Sequence, residues 1–155
     1  ERIPVEEALG IELGDAQIYR NAGGKVTDDV IRSAALTTQF FDTEEIIVIN
    51  HTDCGMMSAP DDAIVEGLEA AVDGDLGDVD LDPALPELSI GDANVADWVR
   101  MTDDIDETCA AQVRHLDEHP LIDATVHGYV YEVESGQLRY PGGRVAEEIS
   151  TRVEE

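Results

Sequence analysis

The run Glu45-Ile46-Ile47-Val48-Ile49-Asn50-His51-Thr52-Asp53-Cys54-Gly55 decides the fold of this chain. Four consecutive aliphatics between polar residues read as a strand buried on both faces, the pattern of a parallel sheet. Just upstream, Val30, Ile31, Ala34, Ala35, Leu36, Phe40 and Phe41 recur at three-to-four spacing, predicting a helix over 28–41 with Thr27 and Asp28 at its start. Before it, residues 5–11 predict a short helix closed by Gly10, and 15–20 a short strand ended by Asn21-Ala22-Gly23-Gly24. Downstream, residues 61–72 predict a helix, followed by a long acidic loop holding Pro83 and Pro86. Two helical pieces are expected over 93–118. The first carries Val95, Trp98, Val99 and Met101; the second carries Cys109, Val113 and Leu116, with Pro120 just past its end. Residues 125–133 alternate and are rich in β-branched and aromatic side chains, predicting a strand that turns through Glu134-Ser135-Gly136-Gln137 into Leu138-Arg139-Tyr140. A last helix is expected over 144–155. Helices alternating with strands define an α/β fold, a central and mainly parallel β-sheet flanked by helices. No repeat or linker divides the chain, so residues 1–155 are expected to form a single domain. Trp98, Phe40 and Phe41 are expected in the core, and Cys109 is expected to be a buried small hydrophobe.

Composition narrows the function. The 155 residues include 36 acidic and 9 basic side chains, a formal charge of −27. Nucleic acid and anionic membrane would meet strong repulsion, which excludes both as partners. No apolar run approaches the ~20 residues of a membrane span, and no secretory signal opens the chain, so a cytoplasmic location is expected. Two cysteines cannot make a disulfide framework. Acidic residues are spread over the whole length, and Lys25 is the only lysine. Such a globule repels itself at ordinary ionic strength and is screened at ~1 M salt, where the Debye length falls to roughly 3 Å. The composition reads as that of a halophile's protein; the other reading is a merely acidic mesophilic one.

His51-x-x-Cys54 follows the buried strand directly, and in open α/β sheets ligands bind beyond the carboxyl ends of strands. Imidazole and thiolate are both zinc ligands, and Gly55 would let the backbone pass close to an ion. The same pair also fits a buried cysteine beside a hydrogen-bonded histidine.

The stretch from Ile47 through Met56 resembles the second metal motif of the β-class carbonic anhydrases. Gly14-Asp15-Ala16, followed by Arg20-Asn21-Ala22-Gly23, is similar to that family's loop beside the metal. Val126-His127-Gly128-Tyr129-Val130-Tyr131-Glu132-Val133, with Gly136 and Leu138 beyond it, is similar to its last strand pair. The resemblance spans about residues 2–140. It implies a Zn2+ cofactor held by His51 and Cys54, and reversible hydration of CO2 to bicarbonate by a zinc-bound hydroxide. Activity should then rise toward alkaline pH.

The family's first motif, Cys-x-Asp-x-Arg, supplies a third zinc ligand. Here Arg2 matches its arginine, and the cysteine and aspartate would fall just upstream of Glu1. The chain is therefore expected to be truncated at its N-terminus and impaired in activity. Arg2 becomes the catalytic candidate that pairs with the motif's aspartate; the other reading is a frayed terminal arginine. Asn21, Gly23 and Gly55 are expected to line the substrate pocket, with turn geometry as the equal alternative. A homodimer or higher homo-oligomer is expected from the family. Two alternatives stand beside CO2 hydration: hydrolysis of CS2 or COS on the same scaffold, and a non-catalytic oligomerisation or binding module.

Other motifs carry less. His115-x-x-Glu118-His119 matches an inverted zinc-protease pattern, but Pro120 ends the helix such a site needs. In the acidic stretch 73–82 no glycine falls at the sixth position from Asp73, Asp75 or Asp78, and no glutamate closes a calcium loop. Asn50-His51-Thr52 is a glycosylation sequon by letter only. No dinucleotide or P-loop pattern surrounds Asn21-Ala22-Gly23-Gly24.

Overall fold

The aliphatic run forms strand β1, Glu45–His51, in a computed structural model that describes residues 3–58, 61–76, 99 and 104–142. The chain divides into two compact units, Glu1–Cys54 with Asp104–Glu155, and Gly55–Asp103. In the first unit, helix α1 covers Val5–Leu9 and ends on Gly10 at φ 66°, a left-handed cap that glycine adopts without steric penalty. A 3-10 turn, Ala22–Gly24, precedes helix α2, Asp28–Phe40. A further helix of this unit spans Ile105–Asp117. Strands β2, Thr125–Glu132, and β3, Gln137–Arg139, complete it. The second unit contributes α3, Gly55–Ser58, and α4, Asp61–Val72, and Leu76 lies buried just after α4. The Ile105–Asp117 helix is accordingly α5.

The sheet is mixed and ordered β1-β2-β3. β1 and β2 run parallel, with Glu45 opposite Thr125 and His51 opposite Tyr131; β3 returns antiparallel, with Tyr131 opposite Leu138. This is the expected α/β architecture. The core lies between the sheet and α5: Val48, Cys109, Leu116 and Val130 are buried together, flanked by Val26, Ile31, Ile46, Ile105, Val113, Ile122 and Val126. α5 opens on Asp104, whose carboxylate accepts from the Asp106 and Glu107 amides at 2.9 Å each and caps the helix. It approaches β2 closely because Gly128 has no side chain. A Cβ there would sit 2.5 Å from Val113 Cγ2 and 3.2 Å from Cys109 Sγ. Arg139 on β3 ties the hairpin to α5, pairing with Glu132 on β2 and with Asp106 in the helix's first turn.

Three expectations are corrected. Residues 15–20 form no strand. Ile18 and Tyr19 are both exposed, and the segment is held by side-chain bonds, Arg20 donating to the Ile3 carbonyl at 2.8 Å and pairing with Glu6 at 3.6 Å. β1 is buried on one face only, for Val48 and Asn50 are enclosed while Ile47 is 44% exposed. Phe40 and Phe41 are 74% and 68% exposed rather than core: they follow the buried Thr37 by three and four positions, but they stand at the C-terminal end of α2, past its buried residues Ala34 and Thr37. Trp98, the first helical piece over 93–103, the loop around Pro83 and Pro86, and the tail 144–155 lie outside the described residues.

Candidate metal centre at the end of the central strand

His51 is the last residue of β1, and Thr52 and Asp53 turn the chain before Cys54. Asp53 has φ 52°, in the left-handed region where aspartate is tolerated better than most side chains. Thr52 anchors the turn. Its amide donates to the Tyr131 carbonyl at 2.9 Å, and its hydroxyl accepts from the Val133 amide at 3.0 Å.

The histidine's ring is oriented by the backbone. Nδ1 of His51 lies 2.8 Å from the Thr52 carbonyl oxygen. A carbonyl can only accept, so Nδ1 must carry the proton and the neutral ring keeps its lone pair on Nε2. A backbone carbonyl on one ring nitrogen is the usual support for a histidine that binds metal through the other. Cys54 is buried, at 8% exposure, and is not in a disulfide.

An imidazole nitrogen and a sulfur at the carboxyl end of a sheet strand are donor types that suit zinc. Among the described residues, no group of three or more histidine, cysteine, aspartate or glutamate side chains is placed to hold a metal ion. Further ligands of such an ion would come from water or from outside those residues. Arg2, the dyad candidate, also lies outside them.

Cys109 is no substitute ligand. It is fully buried in the core, its thiol near the Val48 and Tyr129 carbonyls, and burial pushes its pKa up to about 11, disfavouring the thiolate a metal needs. The His115-Glu118-His119 pattern fails as expected, since α5 ends at Asp117 and leaves His119 beyond the helix.

The loop before α2 meets the end of β1. Asn50, 2% exposed, donates from Nδ2 to the Gly23 carbonyl at 2.9 Å, and its Oδ1 accepts from Gln112 Nε2 at 3.1 Å. Gln112 in turn accepts from the Val26 amide. Gly24, at φ 59°, packs so tightly that a Cβ would lie 3.0 Å from Asn50 Nδ2. The structure thus brings Gly23 beside the strand end that carries His51. Asn21 spends its side chain closing the loop, donating to the Lys25 carbonyl at 2.6 Å and accepting from the Lys25 amide at 2.7 Å, so turn geometry accounts for it. Gly55 opens α3 in the second unit.

Sequence reasoning passed over Asn50, Gln112 and Thr52. Two of them left a signal. Asn50 is a polar side chain closing an aliphatic strand, and Gln112 interrupts the stripe of Cys109, Val113 and Leu116 on one helix face.

The carbonic anhydrase family model matches residues 1–138, and the chain belongs to that family, in its β class. Particular relatives sharpen the placement. The chain is 52% identical over 155 residues to a carbon disulfide hydrolase of Acidithiobacillus thiooxidans, covering 97% of this chain and 77% of that protein. It is 33% identical over 139 residues to β-carbonic anhydrase 1 of Mycobacterium tuberculosis, covering 88% and 74%. Among solved structures, the apo form of a carbon disulfide hydrolase superposes with a TM-score of 0.75 at 42% identity, covering 97% of this chain and 78% of that one.

Proposed function

We propose that this chain is a zinc-dependent enzyme that adds water to the central carbon of a small linear molecule, with carbon disulfide and carbonyl sulfide as its substrates. The observation that carries this choice is the margin in identity, 52% to a carbon disulfide hydrolase against 33% to a β-carbonic anhydrase. It prefers what the sequence alone ranked as an alternative. Hydration of CO2 to bicarbonate is the second reading, supported by the family match and the β-carbonic anhydrase relative.

His51 would hold the metal through Nε2, because the Thr52 carbonyl occupies Nδ1. Cys54 would hold it through Sγ, brought round by the left-handed turn at Asp53. When bound, zinc supplies the Lewis acidity that makes water a nucleophile near neutral pH. Arg2 would steady a neighbouring carboxylate, with Gly23 leaving room for a thin substrate and Asn21 shaping the loop beside it. The reaction balances in two steps. Carbon disulfide and one water give carbonyl sulfide and hydrogen sulfide; carbonyl sulfide and a second water give carbon dioxide and hydrogen sulfide. Each step replaces one carbon–sulfur double bond by a carbon–oxygen double bond and passes both protons of the water to the departing sulfide.

The charge of −27 and the single lysine support a salt-adapted protein. Among the described residues, no helix is long and apolar enough to cross a membrane. A cytoplasmic location and a homodimer or higher oligomer complete the proposal, the latter resting on the family resemblance.

The test is sulfide release from CS2 and COS, beside CO2 hydration, by the zinc-loaded protein and by His51→Ala and Cys54→Ser. Sulfide release that both variants lose supports the proposal. CO2 hydration alone selects the second reading, and zinc binding unchanged in both variants removes the site.

A further inference from the structure

We propose that Thr52 is a positioning residue for His51, and that its hydroxyl, through the clamped turn, sets which ring nitrogen is free to bind metal. The proposal rests on the reading of His51 as a zinc ligand and deepens it.

The β1–β2 ladder ends where His51 faces Tyr131. Thr52 extends it by one further rung that uses both its backbone and its side chain. Its amide donates to the Tyr131 carbonyl at 2.9 Å, and its hydroxyl donates to the same carbonyl at 3.4 Å. The hydroxyl also accepts from the Val133 amide at 3.0 Å, past the last residue of β2. One hydroxyl therefore bonds two backbone groups at the point where strand pairing stops.

The same residue presents its own carbonyl to His51 Nδ1 at 2.8 Å. That carbonyl can aim at the ring only if the peptide plane after Thr52 stays fixed. The fixing bonds come from Thr52 itself, because the next residue, Asp53, sits at φ 52° and does not continue the strand. Loss of the hydroxyl would leave one clamp of two, let the turn rock and free Nδ1 from its partner. The imidazole would then populate both tautomers, and the fraction with a lone pair on Nε2 would fall. A threonine or a serine can serve here; a valine of the same shape cannot.

The experiment compares Thr52→Val and Thr52→Ser with the parent protein on two measurements. Long-range proton–nitrogen correlation spectra of the metal-free protein report the His51 tautomer, and chelator competition reports zinc affinity. The parent is expected to show the Nδ1–H tautomer alone. Thr52→Val is expected to show mixed tautomers and about 10–100-fold weaker zinc binding. Thr52→Ser is expected to recover the single tautomer and to bind zinc within about threefold of the parent, on the scale of such supporting contacts. Thr52→Val with parental tautomer and affinity overturns the proposal. If Thr52→Val does not fold, Thr52→Ser decides alone, since a tenfold loss there would mean that the methyl group, not the hydroxyl, is what matters. His51→Ala separates the two levels. Undiminished zinc affinity in that variant removes the zinc reading, while the tautomer of the metal-free protein still tests Thr52.

Discussion

Asn50 and Gln112 hydrogen-bond across 3.1 Å inside the first unit, joining β1 to α5 at the position just before His51. Both side chains are buried, and each spends its other polar atom on the backbone of residues 23–26. Buried polar groups stabilise only while every partner is present. Gln112→Ala would leave the Val26 amide and Asn50 Oδ1 unpaired, and is expected to cost about 2–3 kcal/mol in urea unfolding. Asn50→Asp would turn a carboxylate oxygen toward the Gly23 carbonyl and should cost more.

Close packing of helix on sheet gives a second prediction. Gly128→Ala places a methyl 2.5 Å from Val113 Cγ2, an overlap expected to cost about 1–3 kcal/mol. Val113→Ala removes the opposing methyl. The double variant should therefore be more stable than the sum of the two single losses, a coupling that a double-mutant cycle measures directly. Additive losses would mean that the helix simply moves away.

Alkali should unfold the protein through two buried acids. Burial raises the Cys109 thiol from 9.0 to about 11, and burial with the neighbouring Tyr140 raises the Tyr129 phenol from 10.0 to about 12. Both hold their protons more tightly in the folded chain than in the unfolded one. Their contribution is complete below about pH 9, and stability falls as pH rises from there through about 12. Equilibrium unfolding across this range should show that decline, and Cys109→Ala should remove its lower part.

Salt should act in the opposite sense. With a formal charge of −27 spread along the chain, added KCl screens self-repulsion and the melting temperature should climb steadily toward molar concentrations. A flat response would remove salt adaptation as the meaning of the acid excess.

The sequence-based reading succeeded where local pattern and tertiary environment agree. The aliphatic run at 46–49, the stripe of α2 and the alternation of 125–133 each formed the expected element. Residues 15–20 failed because a strand needs a partner to pair with, and side-chain bonds from Arg20 hold that segment instead. Phe40 and Phe41 failed because an apolar stripe names a helix face but not how far along the helix the core extends, and burial on α2 stops at Thr37. His51 and Cys54 were legible as candidate metal ligands because their spacing follows a strand. Thr52 was not, since its role depends on Val133, 81 positions away.

The pairing of β1 with β2 fixes more than a sheet. Along β1, Val48 and Asn50 face inward while Ile47 faces outward, and side chains alternate strictly. Deleting or inserting one residue between Glu45 and Asn50 would swap these faces. It would expel Asn50 from Gln112 and rotate His51 away from its present side in the same stroke. The strand therefore acts as a ruler: its residue count is tied to the geometry at its tip, and a one-residue change in its length disturbs that tip more than a change of an outward side chain such as Ile47.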